Sequence, residues 1–275
     1  MRTLSIFRGL IALSVVLYGP CLLGCGGKVG KDFQPKGPIE RWSNAEWARV
    51  LSIVVTPDGY VRHELLEANE QGVRDELFRY VGKINAAGPE NRPELFPTQA
   101  DRLAYYCNAY NAVCMYLVVK RDFPSNMKTS GIFFLDKVPV GGKNMNLDFL
   151  EKTYLRPFDP RIHFAANCMS ASCPPLRNEP YEADKLDAQF DDQGRRFLSD
   201  PRGAVNAGDG RVAISGIFRF YTSDFTATHR AKTGSEPSNV LEAIRPFAAE
   251  DSPVQSAISS QFQEYDWSLN RPPTK

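Results

Sequence analysis

The chain has 275 residues, of which 43% are hydrophobic, and its 33 lysine and arginine residues are balanced by 32 aspartate and glutamate residues. A chain of this size can bury a full core, and no internal repeat or low-complexity tract divides it, so we expect one globular domain. The near-neutral charge provides no electrostatic basis for binding nucleic acid, which depends on clustered positive charge. Nucleic acid is therefore excluded as a predicted partner.

The N-terminal residues have the layout of a signal peptide. Arg2 and Arg8 precede an apolar run over residues 10–18, which is shorter than the roughly 20 residues that a spanning helix needs. The Leu-Leu-Gly-Cys sequence that ends at Cys25 resembles a lipobox, at which a lipoprotein is cut and acylated. We predict a signal peptide over 1–24 and a membrane-anchored protein of the cell envelope that faces away from the cytoplasm. A retained transmembrane anchor and an unmodified Cys25 are the alternatives.

A glycine-, proline- and lysine-rich stretch over 25–40 is predicted to be a tether, and 41–270 to be the globular domain. Apolar periodicity predicts helices over 43–54, 73–88, 98–123, 146–155, 182–198, 239–247 and 253–262. Glycine turns predict antiparallel hairpins around Gly141-Gly142 and around Gly208 to Gly210, and the apolar run 162–167 predicts a short buried strand. Helices with short hairpins and no regular strand–helix alternation favour an α+β fold.

The predicted central helix over 98–123 carries Asn108 and Asn111, three residues apart on one face of an otherwise apolar segment. Asparagine has a poor helix propensity, so a tertiary contact should reward these two residues. The commoner use of a buried asparagine is to satisfy backbone groups of a loop. The alternative is that one of the two amides orients the imidazole of His163.

The segment 161–176 concentrates the groups that could carry chemistry. It contains His163, one of only three histidines in the chain, together with Cys168 and Cys173. If 162–167 is a strand, its period of two places His163 and Asn167 on one face. His163 is then either a core histidine or a general base.

Several roles are open for Cys168 and Cys173, which are five residues apart. A tight loop could bring them to disulfide distance, and thiols outside the cytoplasm tend to be oxidised. Alternatively, one of them is a reactive thiol. The spacing lacks the further cysteine or histidine pair of a metal site, so we predict no metal and no cofactor.

Two other groups of residues have structural interpretations. Cys107 and Cys114 lie about 10 Å apart along the predicted helix, too far to bond, and are assigned to the core. The segment 265–270, with two aromatic residues around Asp266, is interpreted as a docking clamp, although Asp266 could reach an arginine or a histidine.

Several motifs together resemble the bacterial members of the domain of unknown function family 547, over about residues 101–270. They are Asp-Arg-Leu-Ala-Tyr-Tyr-Cys-Asn-Ala-Tyr-Asn111, Val-Gly-Gly-Lys143, Asp-Pro-Arg-Ile-His-Phe-Ala-Ala-Asn-Cys168, Ser-Cys-Pro-Pro-Leu176, Ile-Phe-Arg-Phe-Tyr221 with Asp224-Phe225, and Tyr-Asp-Trp-Ser-Leu-Asn270. In that family the position of Cys107 is usually a branched apolar residue, which implies a core role here, whereas Asn108 and Asn111 match the pattern. The resemblance assigns no reaction.

A central helix followed by a strand that bears a histidine is also similar in order to papain-like and transglutaminase-like thiol enzymes. Those enzymes place the nucleophile at the start of the helix, where this chain has Asn108 beside Cys107. The site is therefore either non-catalytic or rearranged to use Cys168 or Cys173.

Two functions from different classes remain. The sequence favours a lipid-tethered binding or scaffold domain, held by membrane lipid through Cys25, with an envelope peptide or protein as its partner. The alternative is a thiol-dependent hydrolase or acyl transferase acting on envelope peptides or amides. It would use Cys173 or Cys168 as nucleophile, His163 as base, and Asn108 or Asn111 to orient the imidazole.

Overall fold

A computed structural model describes residues 30–273 of the chain. The predicted signal peptide over 1–24, the predicted acylation site Cys25 and the first part of the predicted tether lie outside the described residues. Within residues 30–273, none of the helices combines the length and the apolar character that a membrane span requires.

The described residues form helices of varied length and five short strands, which confirms the predicted α+β class. The helices are α1 (Ala45–Val54), α2 (His63–Glu67), α3 (Val73–Ala86), α4 (Gln99–Lys120), α5 (Leu147–Leu150), α6 (Ile162–Ala165), α7 (Leu186–Ser199), α8 (Gly216–Phe220), α9 (Thr222–Thr233), α10 (Val240–Ile244) and α11 (Pro253–Ser256). The strands are β1 (Val138–Val140), β2 (Lys143–Met145), β3 (Ala204–Asn206), β4 (Arg211–Ile214) and β5 (Ser259–Phe262). A π-helical turn, Glu151–Leu155, extends α5.

The central helix is α4, as the apolar periodicity predicted. It begins with a capping box, in which the Thr98 hydroxyl accepts the Asp101 N–H at 3.1 Å and the Asp101 carboxylate accepts the Thr98 N–H at 2.9 Å. Every residue from Leu103 to Val118 is buried, so other elements cover this helix on all sides. Its polar side chains must therefore find partners inside the protein.

Both predicted hairpins are present. Gly141 and Gly142 connect β1 to β2 with φ angles of +57° and +78°, the left-handed conformations that a two-residue turn needs. In the second sheet β3 pairs with β4 in antiparallel orientation, and β5 adds to β4 in parallel orientation. The predicted helix over 253–262 is correct only for its first turn, because the polar segment that follows forms β5.

Two hydrophobic cores meet at α6. Ile162 and Ala165 belong to the larger core, which surrounds α4, whereas Phe164 belongs to the smaller core under β4, α7 and α9. The one-turn helix is thus held from two directions, and His163 lies between these anchoring side chains.

The prediction of a strand over 162–167 is wrong. The Ala166 N–H donates to the Ile162 carbonyl at 2.8 Å and closes a helical turn. Periodicity cannot distinguish a short strand from a short helix when both faces are buried, as they are here. Consequently His163 and Asn167 do not share a strand face, and they have different partners.

The capping box leads to a prediction about stability. Thr98→Ala removes the hydroxyl that accepts the Asp101 N–H, so we expect the free energy of unfolding to fall by about 1 kcal/mol. Urea unfolding followed by circular dichroism measures this change. Thr153→Ala, at an exposed threonine in the π-helical turn, is the control and should stay within about 0.5 kcal/mol of wild type. Equal effects in the two variants would contradict the role of the cap.

Candidate active site

One cavity contains three of the predicted site residues. It has a volume of about 320 Å³, and His163, Cys168 and Cys173 line it together. Asn108 and Asn111 are not among the lining residues, although Tyr110 from the same helix is. The imidazole and both sulfur atoms therefore share one cavity, whereas the two amide side chains do not line it.

The partner of His163 is a carboxylate that the sequence did not single out for this role. Nε2 of His163 lies 2.9 Å from Oδ2 of Asp224, at the start of α9, and the histidine side chain is only 2% exposed. Arg156 holds the same carboxylate with two hydrogen bonds of 2.8 and 3.0 Å. The hydrogen bond from His163 and the neighbouring Arg156 lower the pKa of Asp224 well below its usual range, so this carboxylate stays ionised.

Aromatic stacking fixes the plane of the imidazole. The ring of Tyr221 lies 3.8 Å from the His163 ring, centre to centre, at an interplanar angle of 20°. Because an ionised carboxylate can only accept, Nε2 must be the nitrogen that carries the proton toward Asp224. Nδ1 is then the basic nitrogen, and among the described residues no hydrogen bond occupies it. The contact with Asp224 and the stack on Tyr221 together fix the orientation of the ring.

The two cysteines lie in a tight loop, residues 167–174, which we name the cysteine loop. The sulfur of Cys173 accepts the Cys168 N–H at 3.0 Å, and it lies 3.4 Å from the Ser170 hydroxyl and 3.3 Å from the Tyr265 hydroxyl. The sulfur of Cys168 lies 2.9 Å from the same serine hydroxyl. The Asn167 side chain closes the loop through the Met169 N–H and the Pro174 carbonyl.

These hydrogen-bond donors shift the pKa values of the two thiols in opposite directions. Burial alone would raise the pKa of Cys173, but hydrogen bonds from Cys168, Ser170 and Tyr265 lower it below its usual range. The pKa of Cys168 is raised instead, because it shares a proton with the Cys173 sulfur and is buried beside it. The first proton lost from this pair therefore leaves a thiolate on Cys173.

In the structure all four cysteines within residues 30–273 are free, including Cys168 and Cys173, so the predicted disulfide between these two is not formed. Burial raises the pKa values of both Cys107 and Cys114, which are fully enclosed. This agrees with their assignment to the core. No group of three metal-ligating side chains occurs in the same part of the chain.

The two amides of α4 have structural partners. Asn111 donates to the Ala165 carbonyl at 3.0 Å and accepts the Asn167 N–H at 2.7 Å, between α6 and the cysteine loop. Asn108 makes the same pair of bonds with the backbone of Tyr181, at 2.8 and 2.9 Å. Both amides thus bond to backbone groups, and the hydrogen-bond partner of the His163 ring is Asp224 rather than either amide.

The C-terminal segment completes the site. The Ala171 N–H donates to the Ser268 carbonyl at 2.8 Å, and the Asn270 N–H donates to the Met169 carbonyl at 2.8 Å. This pairing places Tyr265 against both thiols, so the segment that the sequence suggested was a docking clamp also contributes to the site. The Asp266 carboxylate accepts the Ser268 N–H at 2.8 Å, a local contact in place of the arginine or histidine that was considered.

Sequence reasoning missed the roles of Arg156, Ser170, Asp224 and Tyr265. Asp224 and Tyr265 occur in the motifs that carry the family resemblance, which was the only available signal. Their partners lie 61 and 97 residues away in the chain, beyond any spacing rule.

Comparison with protein families supports part of that resemblance. Residues 96–198 match the model of a family described as "Protein of unknown function, DUF547". The matched segment includes α4, α6 and the cysteine loop and ends before Asp224 and Tyr265. Comparison with curated proteins and with solved structures gave no significant match.

A first prediction from the site concerns Asn111. Asn111→Ala leaves the Ala165 carbonyl and the Asn167 N–H buried without partners, so we expect the free energy of unfolding to fall by about 2–4 kcal/mol. Urea unfolding measures the change. Asn178→Ala, at an exposed asparagine, is the control and should have almost no effect. A loss for Asn111→Ala no larger than that of the control would show that these contacts contribute little.

A second prediction concerns pH. Thiolates, not thiols, react with iodoacetamide, so alkylation of Cys173 should rise with pH and reach half its maximum rate below the value of about 8.5 typical of free cysteine. Tyr265→Phe removes a donor that stabilises the thiolate, so the pKa of Cys173 rises and the midpoint moves to higher pH. Mass spectrometry of the labelled peptide gives the rate.

Tyr60→Phe is the matched control for that experiment, because Tyr60 does not line the cavity. Its alkylation profile should coincide with that of wild type. An unchanged midpoint in Tyr265→Phe would contradict the proposed stabilisation of the thiolate.

Proposed function

We propose that the protein is a thiol-dependent hydrolase or acyl transferase that acts on amides or related acyl compounds of the cell envelope. One observation carries this proposal: a histidine oriented by Asp224 lines the same cavity as a cysteine whose pKa is lowered. A nucleophile, a base and a residue that orients the base form the arrangement on which nucleophilic acyl transfer depends.

Cys173 is the better candidate for the nucleophile. Its sulfur has three hydrogen-bond donors around it, whereas the pKa of Cys168 is raised. In this assignment Cys168 acts as a positioning residue, because its N–H and its thiol both stabilise the Cys173 thiolate.

The reaction follows from these roles. His163 accepts the Cys173 proton at Nδ1, and the thiolate attacks the carbonyl carbon of the substrate to form a C–S bond. The imidazolium then gives its proton to the leaving group as the bond from the carbonyl carbon to that group breaks. Water, or another acceptor in a transferase, attacks the resulting thioester while His163 takes its proton. The C–S bond then breaks, the product leaves, and the proton on His163 returns to the Cys173 sulfur.

Two features of the site support stabilisation of the intermediate. The Tyr265 hydroxyl lines the cavity beside the sulfur atoms and can donate to the oxygen that becomes negatively charged, while the buried Ser170 hydroxyl lies 2.9 Å from it and positions it. The Asp224 carboxylate stabilises the imidazolium that forms during the reaction, and Arg156 keeps that carboxylate ionised.

We also propose that the protein is located in the cell envelope. The lipobox-like sequence supports acylation at Cys25, which would place the domain at a membrane surface outside the cytoplasm. At least two acyl chains are needed for stable anchoring.

A binding or scaffold role is the second candidate, and one observation favours it. Phe134 and Leu135 are 62% and 67% exposed beside the cavity, and adjacent exposed apolar side chains often mark a contact surface. An envelope peptide or protein would be the partner in that case. The oriented base beside the thiols favours the enzyme instead.

Substitutions at the site test the proposal. In a panel of model amides, esters and thioesters, Cys173→Ala should lower kcat/KM to the background rate because the nucleophile is lost. His163→Ala should lower it by about 10²–10⁴-fold because the base is lost. Asp224→Asn should also reduce activity, because the amide cannot stabilise an imidazolium.

Two matched controls separate chemistry from folding. Cys107→Ala changes a buried cysteine outside the cavity, and His229→Ala changes a histidine that faces Glu242 at 3.6 Å, also outside the cavity. Both should keep wild-type kcat/KM, with thermal melting recorded for every variant. Full activity in folded Cys173→Ala and His163→Ala proteins would reject the thiol mechanism, and a lack of turnover in the wild-type protein would leave the binding role.

A further inference from the structure

Beyond the thiols, the cavity wall is mainly aromatic and aliphatic. Phe133, Phe134, Ile217, Phe220 and Trp267 all line it. The rings of Phe220 and Trp267 lie 6.1 Å apart at 30°, and Tyr265 joins them, with its ring 4.5 Å from that of Trp267. A volume of about 320 Å³ is at the lower end of small-molecule sites, so the occupant is a small group.

One side of the cavity carries a connected set of polar groups. Hydrogen bonds link the Cys168 and Cys173 sulfurs to the Tyr265 hydroxyl, and His163 lines the same cavity. Five charged residues also line the cavity: Lys128, Asp148, Glu151, Lys152 and Arg156. Arg156 is paired with Asp224, Lys152 lies 2.8 Å from Asp148, and Glu151 accepts the Tyr110 hydroxyl at 3.4 Å, while Lys128 is exposed. The rest of the wall thus offers a substrate mostly apolar surface.

The wall is poorly suited to the backbone of an extended peptide. Strand addition to a sheet edge is one recurring way to bind such a backbone, because it satisfies the N–H and carbonyl groups along the chain. Every lining residue lies in a helix or a loop, and none lies in β1 to β5. An extended peptide bound here would bury N–H and carbonyl groups without partners, which costs free energy. A substrate with few polar groups beyond its carbonyl avoids that cost.

From this arrangement we infer that the substrate carries an apolar acyl chain, joined through an ester, thioester or amide. The inference rests on the thiol chemistry proposed above. The carbonyl carbon lies against Cys173 and His163, and the chain runs along Phe220 and Trp267. The exposed Phe134 and Leu135 provide an apolar surface beside the cavity over which such a chain can enter.

The consequence is a dependence of the rate on chain length. Each methylene that leaves water adds binding energy equivalent to roughly a fourfold increase in kcat/KM, until the cavity is full. Hydrolysis of 4-nitrophenyl acetate, butyrate and octanoate by the purified protein measures this. We expect kcat/KM to rise at least about tenfold from butyrate to octanoate.

Variants of the wall test the assignment directly. Phe220→Ala should lower the octanoate-to-butyrate ratio of kcat/KM by about tenfold, because the longer chain loses its contact surface. Phe262→Ala is the matched control, since Phe262 has nearly the same exposure, 41% against 43%, but lies in β5 outside the cavity. It should leave the ratio unchanged.

The source of the chain is a separate arm of the experiment. Release of octanoate from vesicles that contain dioctanoylphosphatidylcholine would support a membrane lipid as the source. Hydrolysis of the soluble octanoyl ester alone would support a free acyl compound. Both results are consistent with the inferred chain.

The outcomes distinguish this inference from the proposed function. If Cys173-dependent hydrolysis shows no preference for octanoate, or if Phe220→Ala leaves the ratio of kcat/KM unchanged, the inference of an apolar acyl chain is rejected. The proposal of a thiol-dependent enzyme is retained in that case. If no ester or amide shows Cys173-dependent turnover, both are overturned.

Discussion

The position of the histidine relative to the thiols depends on one buried amide. Asn111 bonds to the Ala165 carbonyl, where α6 ends, and to the Asn167 N–H, where the cysteine loop begins. The two backbone groups lie between His163 and Cys168 in the chain, so a single side chain from α4 fixes the bend between α6 and the cysteine loop. An apolar residue of the same size would leave both groups without partners in the core. Asn111 thus controls the geometry of a cavity that it does not touch.

The site also depends on how the two hydrophobic cores meet. Tyr110, on α4 of the larger core, lines the cavity, whereas Asp224 stands on α9 beside Phe225 of the smaller core. The hydrogen bond between His163 and Asp224 therefore forms only when the two cores are correctly packed against α6. Aromatic contacts at 5.6 and 5.7 Å from Phe225 to His163 and Phe164 hold this junction together. The packing of the two cores against α6 therefore also determines the orientation of the His163 imidazole.

The elements with a strong local signal were predicted well. α4 follows from its capping residue and its long apolar segment, and the hairpin at Gly141-Gly142 follows from its turn. The short run at α6 was assigned to a strand because four buried residues carry no usable period. α8 and α9 were not predicted, and β5 is a polar, exposed segment that gains its conformation from β4. The site was located by its density of cysteine and histidine, but Asp224 and Tyr265 reach it by tertiary contacts that no local pattern contains.

The pairing of the C-terminal segment with the cysteine loop has a consequence for the order of folding. Tyr265 lies 92 residues after Cys173 in the chain, and the segment that carries it docks on the loop through Ser268 and Asn270. Before this segment docks, the Cys173 sulfur lacks one of the hydrogen-bond donors that lower its pKa. A partly folded chain would therefore hold a less acidic thiol, and the acidity of Cys173 would report that this long-range pairing is complete.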